Sequence, residues 1–485
     1  MLSMNGLVRL GMISVAVAAV IVGAGCSGGE SATSKAGGAA RPVVLQMGNA
    51  YGELNDLPAI QHFVSQVKER SGGNLRIEVR STYGDFANDA EQQVVRAVAA
   101  GEADLGWAGT RVFDTMGVTS FQALQAPMLI DSYPLEQAVI TAGIPDQMLQ
   151  GLDRIGVEGL GVLADGLRKP VAVKRAVVHA ADWQGIRFGT VKSDRQADAI
   201  RALGATPVEV FRRARLEALS SGTLDGFEMN LLLYQNTASA QAAPYVTANV
   251  NLWPLMDVLL ANPDRLARLS EQQRSWLTQA AQDATERSVS LADHDAQDLK
   301  RACQAGARFA NASKADLAAL NEAFAPVYAS LEQDPQTKAF IQQIEDLKRS
   351  TPAGTPLAVP AACAGKAPAK PAKQSGSVPS SLNGTYRYEL TKEDALRVGD
   401  PEADQFPYVG TVTMRDGEVK GGCFEVWARY SVTGNRITFE VPNFGYTLTF
   451  TFAVDGKGNL RLRPVQPMDP GDAFQCAYKP WTKIG

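Results

Sequence analysis

Histidine is nearly absent from this chain: 485 residues hold three, His62, His179 and His294, each on a separate segment. No histidine stands with another histidine or a cysteine at a metal-ligand spacing, so no metal site is expected, and a zinc hydrolase is disfavoured. No nucleophile with a base partner is visible either, and we expect no catalytic residue, no enzyme and no cofactor. Excess positive charge is also missing. A formal net charge of −4 and a pI near 5.7 leave no basic field for nucleic acid. Long apolar runs are lacking except at residues 12–22, too short to span a bilayer with its flanks. What is present is 45% apolar residues, enough for real cores, in a length that predicts two or three domains.

The short apolar run follows Arg9 and ends in Gly23-Ala24-Gly25-Cys26. This reads as a signal peptide over residues 1–25. The small-small-Cys junction resembles the lipobox of bacterial lipoproteins, with Gly23 where that motif carries leucine. The resemblance implies a lipid on Cys26 and a place in the cell envelope, on the outer face of the cytoplasmic membrane or in the periplasm. The other reading is an ordinary signal peptide followed by a chance cysteine. Residues 26–42, rich in Gly, Ser and Ala, form a flexible tether.

Four cysteines remain, Cys303, Cys363, Cys423 and Cys476, an even number that invites pairing outside the cytoplasm. Of three connectivities we favour Cys303 with Cys363 and Cys423 with Cys476, which keep each bridge near one module. Each closes a loop worth roughly 4 kcal/mol in the chain-entropy model.

Composition divides the chain at residues 351–381, a Pro-, Ala-, Gly- and Lys-rich linker. Before it, residues 43–350 alternate strand-like and helix-like runs. Val43-Val44-Leu45-Gln46-Met47 leads through a Gly48-Asn49-Ala50-Tyr51-Gly52 loop to an amphipathic helix over 57–70, and Leu75-Arg76-Ile77-Glu78-Val79 comes next as a strand. Such alternation predicts parallel sheet faced by helices. Ser270 with Gln273 is a capping box opening a helical stretch to about Ala305.

These residues resemble the DctP-type extracytoplasmic solute receptors of TRAP transporters. Ser71-Gly72-Gly73-Asn74-Leu75, Tyr83-Gly84-Asp85 and Ala100-Gly101-Glu102-Ala103-Asp104 follow the order of that family. Ala126-Pro127-Met128-Leu129 looks like its Pro-Phe-Leu-Phe segment. Gly204-Ala205-Thr206-Pro207 and Glu217-Ala218-Leu219-Ser220-Ser221-Gly222-Thr223-Leu224-Asp225-Gly226-Phe227-Glu228 carry the most specific match. The resemblance implies an α/β, two-lobed periplasmic-binding-protein-like receptor with a long connecting helix, closing on a small organic acid and presenting it to TRAP-type membrane permease subunits.

Family members clamp a ligand carboxylate with the arginine of Gly-Leu-Lys-Ile-Arg, because a planar guanidinium gives two parallel hydrogen bonds. Here the stretch is Gly185-Ile186-Arg187-Phe188-Gly189, with glycine at the clamp position. Arg187 shares its strand parity and is a candidate substitute, against a structural arginine. Arg168 sits where some family members place another ligand-facing arginine, and Arg111 falls within one position of a third family site, each against a surface charge. Two of the three facing the cleft would keep the ligand anionic; none would make it neutral or stacked on rings. Asn49, Tyr51, Asn230 and Tyr234 are candidate ligand contacts, and Trp107 is a candidate platform or a core residue. Met229 makes the pocket more apolar, and Glu228 is a ligand contact or a structural acceptor. These departures argue against assuming a C4-dicarboxylate.

Residues 382–485 are almost purely strand-like, with turn signals at Asp416-Gly417, Thr433-Gly434-Asn435 and Asp455-Gly456-Lys457-Gly458-Asn459. Seven or eight short strands predict a small antiparallel β-barrel or sandwich, faintly similar to lipocalin-like barrels. The functional expectation is a lipid-anchored solute-binding receptor. Its alternative is a surface adhesion or signalling protein on a receptor-like fold that no longer serves a permease.

Overall fold

The computed structural model describes residues 42–52, 54, 57–236, 239–367, 377–398, 406–441, 446–465, 468 and 470–485. The signal peptide, Cys26 and the tether to residue 41 lie outside them, as do linker residues 368–376. Among the described residues no helix is long and apolar enough to cross a membrane.

A ten-stranded mixed sheet comes first. Its strands are β1 (Val43–Gly48), β2 (Leu75–Arg80), β3 (Leu105–Gly109), β4 (Glu158–Ala172), β5 (Arg187–Thr190), β6 (Thr206–Glu209), β7 (Gly226–Met229), β8 (Tyr245–Thr247), β9 (Trp253–Ala261) and β10 (Arg308–Ala310). β1 pairs in parallel with β2 and β3, and β5 in parallel with β6 and β7. Helices such as Pro58–Arg70 and Asp194–Ala202 supply the crossovers that parallel strands need.

The sheet is not parallel throughout. β9 runs antiparallel to β3 and to β4, and β4 antiparallel to β7 and β8. The reason is that β4 crosses from one lobe to the other and β9 runs against it. The first part of β4 pairs with β9 and its last four residues with β7. Near the end of the β9 pairing the register shifts at Asp165-Gly166, where Gly166 has φ +96°, a conformation that side chains with a Cβ avoid. The first lobe is therefore β1 to β3 with β9 and the start of β4; the second is β5 to β8 with β10 and the end of β4.

The long helix Glu271–Ala292 packs along Pro58–Arg70 and β4. Ser270 accepts from the Gln273 amide and the Gln273 side chain answers, so the capping box forms. The helix does not continue to Ala305. Asp293, at φ −80° and ψ 70°, leaves helical geometry, and a second helix, Asp295–Gln304, begins beyond it. The break brings Asp295 to the buried Lys169 ammonium at 2.9 Å.

Cys303 of that second helix is joined to Cys363, and Cys423 to Cys476. The first part of the Pro- and Ala-rich segment is thus held: Leu357 and Val359 pack against the second-lobe core around the first bridge.

The carboxyl-terminal sheet has eight strands: β11 (Gly384–Leu390), β12 (Tyr408–Arg415), β13 (Glu418–Gly421), β14 (Phe424–Thr433), β15 (Arg436–Val441), β16 (Tyr446–Val454), β17 (Leu460–Pro464) and β18 (Thr482–Lys483). From β11 to β17 each pairs antiparallel with the next, and β18 returns to β11. A bridge between Leu460 and Trp481 brings the ends together, so the structure is a nearly closed barrel, not a sandwich. Closure leaves few free strand edges. Alternation sends Tyr386, Tyr388, Phe424, Phe439, Phe450 and Trp481 inward, all at most 4% exposed.

Candidate functional site

In both lobes the parallel strands point their carboxyl ends at one cleft, the place where α/β sheets hold ligands. Tyr51 arrives there just beyond β1, Val191 beyond β5, Phe211 beyond β6, and Met229 at the end of β7. With Arg168, Arg212, Arg215 and Leu233 they line a narrow cavity of about 350 Å³, counting its opening to solvent.

The lobes meet across it. The Tyr51 ring lies edge-on to Phe211 at 5.1 Å, and the Arg212 guanidinium sits over it at 4.6 Å. Asn88 of the first lobe donates to the Glu209 carbonyl at 3.2 Å and accepts from the Phe211 amide at 3.1 Å. Asp114, also of the first lobe, accepts from the Ser193 hydroxyl and the Arg195 amide, both at 2.8 Å, at the start of a second-lobe helix. Burial pushes the Asp114 carboxyl up to about 6, against these hydrogen bonds.

Of the three arginines singled out in the sequence, Arg168 lines the cavity. It sits on β4 at the crossing between lobes, 6% exposed, with Nε bonded to Glu228 and Nη2 donating to the Glu228 carbonyl at 3.1 Å. Glu228 is thereby a structural acceptor. Arg111 stands behind the wall: its Nη2 donates to Glu91 at 2.7 Å and to the Tyr51 hydroxyl at 2.9 Å, while Nε and Nη1 have no partner among the described residues. Nearby Asp257 is 1% exposed, and burial raises its carboxyl to about 7 although Arg111 opposes the shift.

Arg187 does not reach the cavity. It opens β5, donates to both Asp225 carboxylate oxygens at 2.9 and 3.1 Å and to the Gly222 carbonyl at 2.6 Å, and is 40% exposed. Strand parity gave it the right face at the wrong depth: Val191 is four residues further on, about 13 Å along an extended chain. Gly189 is covered as well, since a Cβ there would meet Val210 at 2.8 Å and Leu224 and Phe227 at 3.1 Å.

The remaining candidates divide. Tyr51 lines the cavity, and burial pushes its phenol up. Trp107 is stacked beneath it at 5.0 Å and 1% exposed, a platform for Tyr51 and not a wall. Asn49 does not line the cavity: its side chain accepts from the Tyr51 amide at 2.9 Å and donates to the Gly52 carbonyl at 2.7 Å, folding the loop that presents Tyr51. Asn230 donates to the Asp165 carbonyl and accepts from the Leu233 amide, pinning the β4 bulge. Tyr234 donates to the Ala243 carbonyl at 2.9 Å within the second-lobe core. Both asparagines and Tyr234 act as scaffold.

Five lining residues were missed, Val191, Phe211, Arg212, Arg215 and Leu233, and the two that carry charge are Arg212 and Arg215. Arg212 is 4% exposed, at φ +33°, a conformation non-glycine residues rarely adopt. Arg215, one helical turn on, lays its guanidinium over Phe227 at 5.0 Å, and its Nε has no partner among the described residues. Burial, with the charges of Arg212 and Arg168 adding to it, pushes the Arg215 pKa down to about 9. The available signal was Arg212-Arg213-Ala214-Arg215 opening a helix, where the macrodipole disfavours cations.

Among the described residues no cluster of His, Cys, Asp and Glu has the geometry to hold a metal. What the cavity can do chemically is hold an anion, since it presents guanidinium groups and apolar walls.

Known proteins share this fold. A solute-binding protein of Verminephrobacter eiseniae is 24% identical over 287 residues, covering 59% of this chain and 83% of its own. The C4-dicarboxylate-binding protein DctB of Bacillus subtilis is 23% identical over 237 residues, 48% of this chain and 66% of its own. Among solved structures, the sugar acid binding protein of Advenella mimigardefordensis in complex with galactonate superposes with a TM-score of 0.58 at 21% identity, covering 64% of this chain and 99% of that one. A TRAP periplasmic solute binding protein from Roseobacter denitrificans with bound β-D-glucuronate gives 0.56 at 19%, covering 62% and 99%. The family model for DctP, bacterial extracellular solute-binding protein, family 7, matches residues 55–334, more than half of the chain, and the chain belongs to that family.

Proposed function

We propose that this protein is the solute receptor of a TRAP-type transport system, capturing a small organic anion between its lobes and presenting it to membrane permease subunits. The observation that carries the reading is the meeting of Arg168, Arg212 and Arg215 on one interlobe cavity whose lining includes no carboxylate among the described residues. Guanidinium groups recognise carboxylates by paired hydrogen bonds, and a half-desolvated cleft strengthens each of them. The galactonate- and glucuronate-bound relatives support a carboxylate ligand. Binding energy favours the closed state, and no covalent chemistry is required.

The envelope assignment belongs to the same proposal. Residues 1–25 direct export, a lipid on Cys26 anchors residues 43–350 through the tether, and residues 382–485 add a β domain beyond the 351–381 linker. The adhesion or signalling alternative has no observation in its favour.

Two measurements test the proposal. Calorimetry on the soluble chain from Ser27 onward should show saturable binding of a carboxylate, weakened on the order of 100-fold in Arg168→Met. Mass spectrometry of protein extracted from membranes should show a lipid-modified Cys26. An unmodified cysteine refutes the anchor, and failure of every organic anion to bind refutes the receptor reading.

A further inference from the structure

The cavity's polar inventory is one-sided. Its cationic groups gather on the second lobe and at the β4 crossing, while Val191, Phe211, Met229 and Leu233 make up much of the remaining wall. Apart from the Tyr51 hydroxyl, no neutral hydroxyl or amide side chain lines it among the described residues. A polyhydroxylated ligand loses hydrogen bonds to water on entering such a space and regains few, at a cost for each group left unsatisfied. An apolar body loses nothing there.

The arginines also differ in how far they are committed. Arg168 is engaged by Glu228 on two atoms. Arg212 is stacked on Tyr51, closing the roof between the lobes. Arg215 is held in place by the Phe227 ring, and its Nε has no hydrogen-bond partner among the described residues. Its like-charged neighbours Arg212 and Arg168, offset in part by Glu228, make an anion at this point favourable on Coulombic grounds.

We infer that Arg215 is the residue that grips the ligand carboxylate, with Arg168 beside it, and that the ligand is a monocarboxylate with a compact apolar body, not a sugar acid or a dicarboxylate. This rests on the anion-receptor reading and narrows it. Phe227 keeps the guanidinium in one orientation, so little conformational freedom is lost on binding. The apolar walls then select the body of the ligand beyond its carboxylate.

The test is calorimetry of the soluble chain with three probes, 4-methylpentanoate, D-glucuronate and succinate, in the parent, Arg215→Met, Arg215→Lys and Arg168→Met. Binding of 4-methylpentanoate in preference to the other two is expected. Its affinity should fall on the order of 100-fold in Arg215→Met and recover in part in Arg215→Lys. Tight, Arg215-dependent binding of D-glucuronate or succinate overturns the ligand class but leaves anion capture standing. Binding that depends on Arg168 and ignores Arg215 overturns the placement of the carboxylate. If none of the three binds while another organic anion does, the class fails alone; if no organic anion binds, the receptor reading fails with it. Circular dichroism of each variant separates lost binding from lost fold.

Discussion

The interiors of the lobed receptor and of the carboxyl-terminal barrel are built from different materials. Around the cleft the first contains Glu91, Arg111, Arg168, Glu228 and Asp257, all at most 6% exposed, and away from it Lys169, Asp295 and Glu136. The barrel contains packed rings: Trp481 stacks on Tyr388 at 6.0 Å, and Phe424 and Phe439 approach at 4.7 Å. Buried charges are costly and seldom improve on apolar packing for stability. On the proposed receptor reading, the five around the cleft fit an interior shaped by binding; the ring-filled barrel is an interior shaped by packing.

The strongest way to break that contrast is to hollow the barrel. Trp481 is fully buried, touches several rings and donates from Nε1 to the Cys476 carbonyl at 2.9 Å beside the Cys423–Cys476 bridge. Trp481→Ala should destabilise the barrel by about 3–5 kcal/mol. Urea unfolding followed by intrinsic fluorescence reads that loss, and ligand affinity should not change. A large loss of affinity would mean that the barrel belongs to the binding machinery.

A second prediction concerns charge that binding does not use. Glu136 is fully buried, neither carboxylate oxygen has a hydrogen-bond partner among the described residues, and burial, with Asp295 and Asp293 adding to it, pushes its pKa up to about 8. Its folded pKa lies above its unfolded value of 4.5, so its stabilising contribution is complete below that value and is lost as pH rises through about 8. Glu136→Gln, which mimics the protonated acid, should resemble the parent near pH 4 and exceed it by a margin that grows through neutral pH and levels off above about 8, on the order of 4 kcal/mol. Thermal melts across that range check it, and equal pH dependence in both proteins would mean that Glu136 finds a partner when ionised.

How much of this was legible in the sequence tracks the same divide. The barrel's strands could be read because period-two alternation and turn residues are local signals, and Arg436 to Val441 does pair antiparallel with the strand that begins at Tyr446. The capping box at Ser270 was local too. The cleft was harder. Arg168 was found through resemblance, yet Asn49, Asn230 and Tyr234 looked like ligand contacts because a polar side chain does not announce whether the backbone already satisfies it. Arg215 was passed over because nothing in Arg212-Arg213-Ala214-Arg215 says which side chain the fold will turn toward a cleft. Only the fold turns its guanidinium onto Phe227.

A smaller effect tests how the lobes are held together. Asp114 reaches from the first lobe to the Ser193 hydroxyl and Arg195 amide of the second, bonds that exist only when the lobes meet in this way. Asp114→Ala should raise the ligand dissociation constant by about fivefold, the worth of roughly 1 kcal/mol of lost closure. Small-angle scattering should show a more open average shape. The parent itself should lose affinity as pH falls through about 6, where the carboxylate is neutralised.

The smallest expected effect belongs to Arg187, and it is informative because strand parity alone makes this residue look like a clamp. Its guanidinium is already occupied by Asp225 and the Gly222 carbonyl, at the end of β5 away from the cavity. Exposed ion pairs contribute little in water, because solvent screens them and two side chains must be held still. Arg187→Ala should therefore leave ligand affinity within about twofold of the parent and change the melting temperature only slightly. A large drop in affinity would place the anion further down β5 than the present geometry allows, and would shift the binding centre from Arg215 toward the start of that strand.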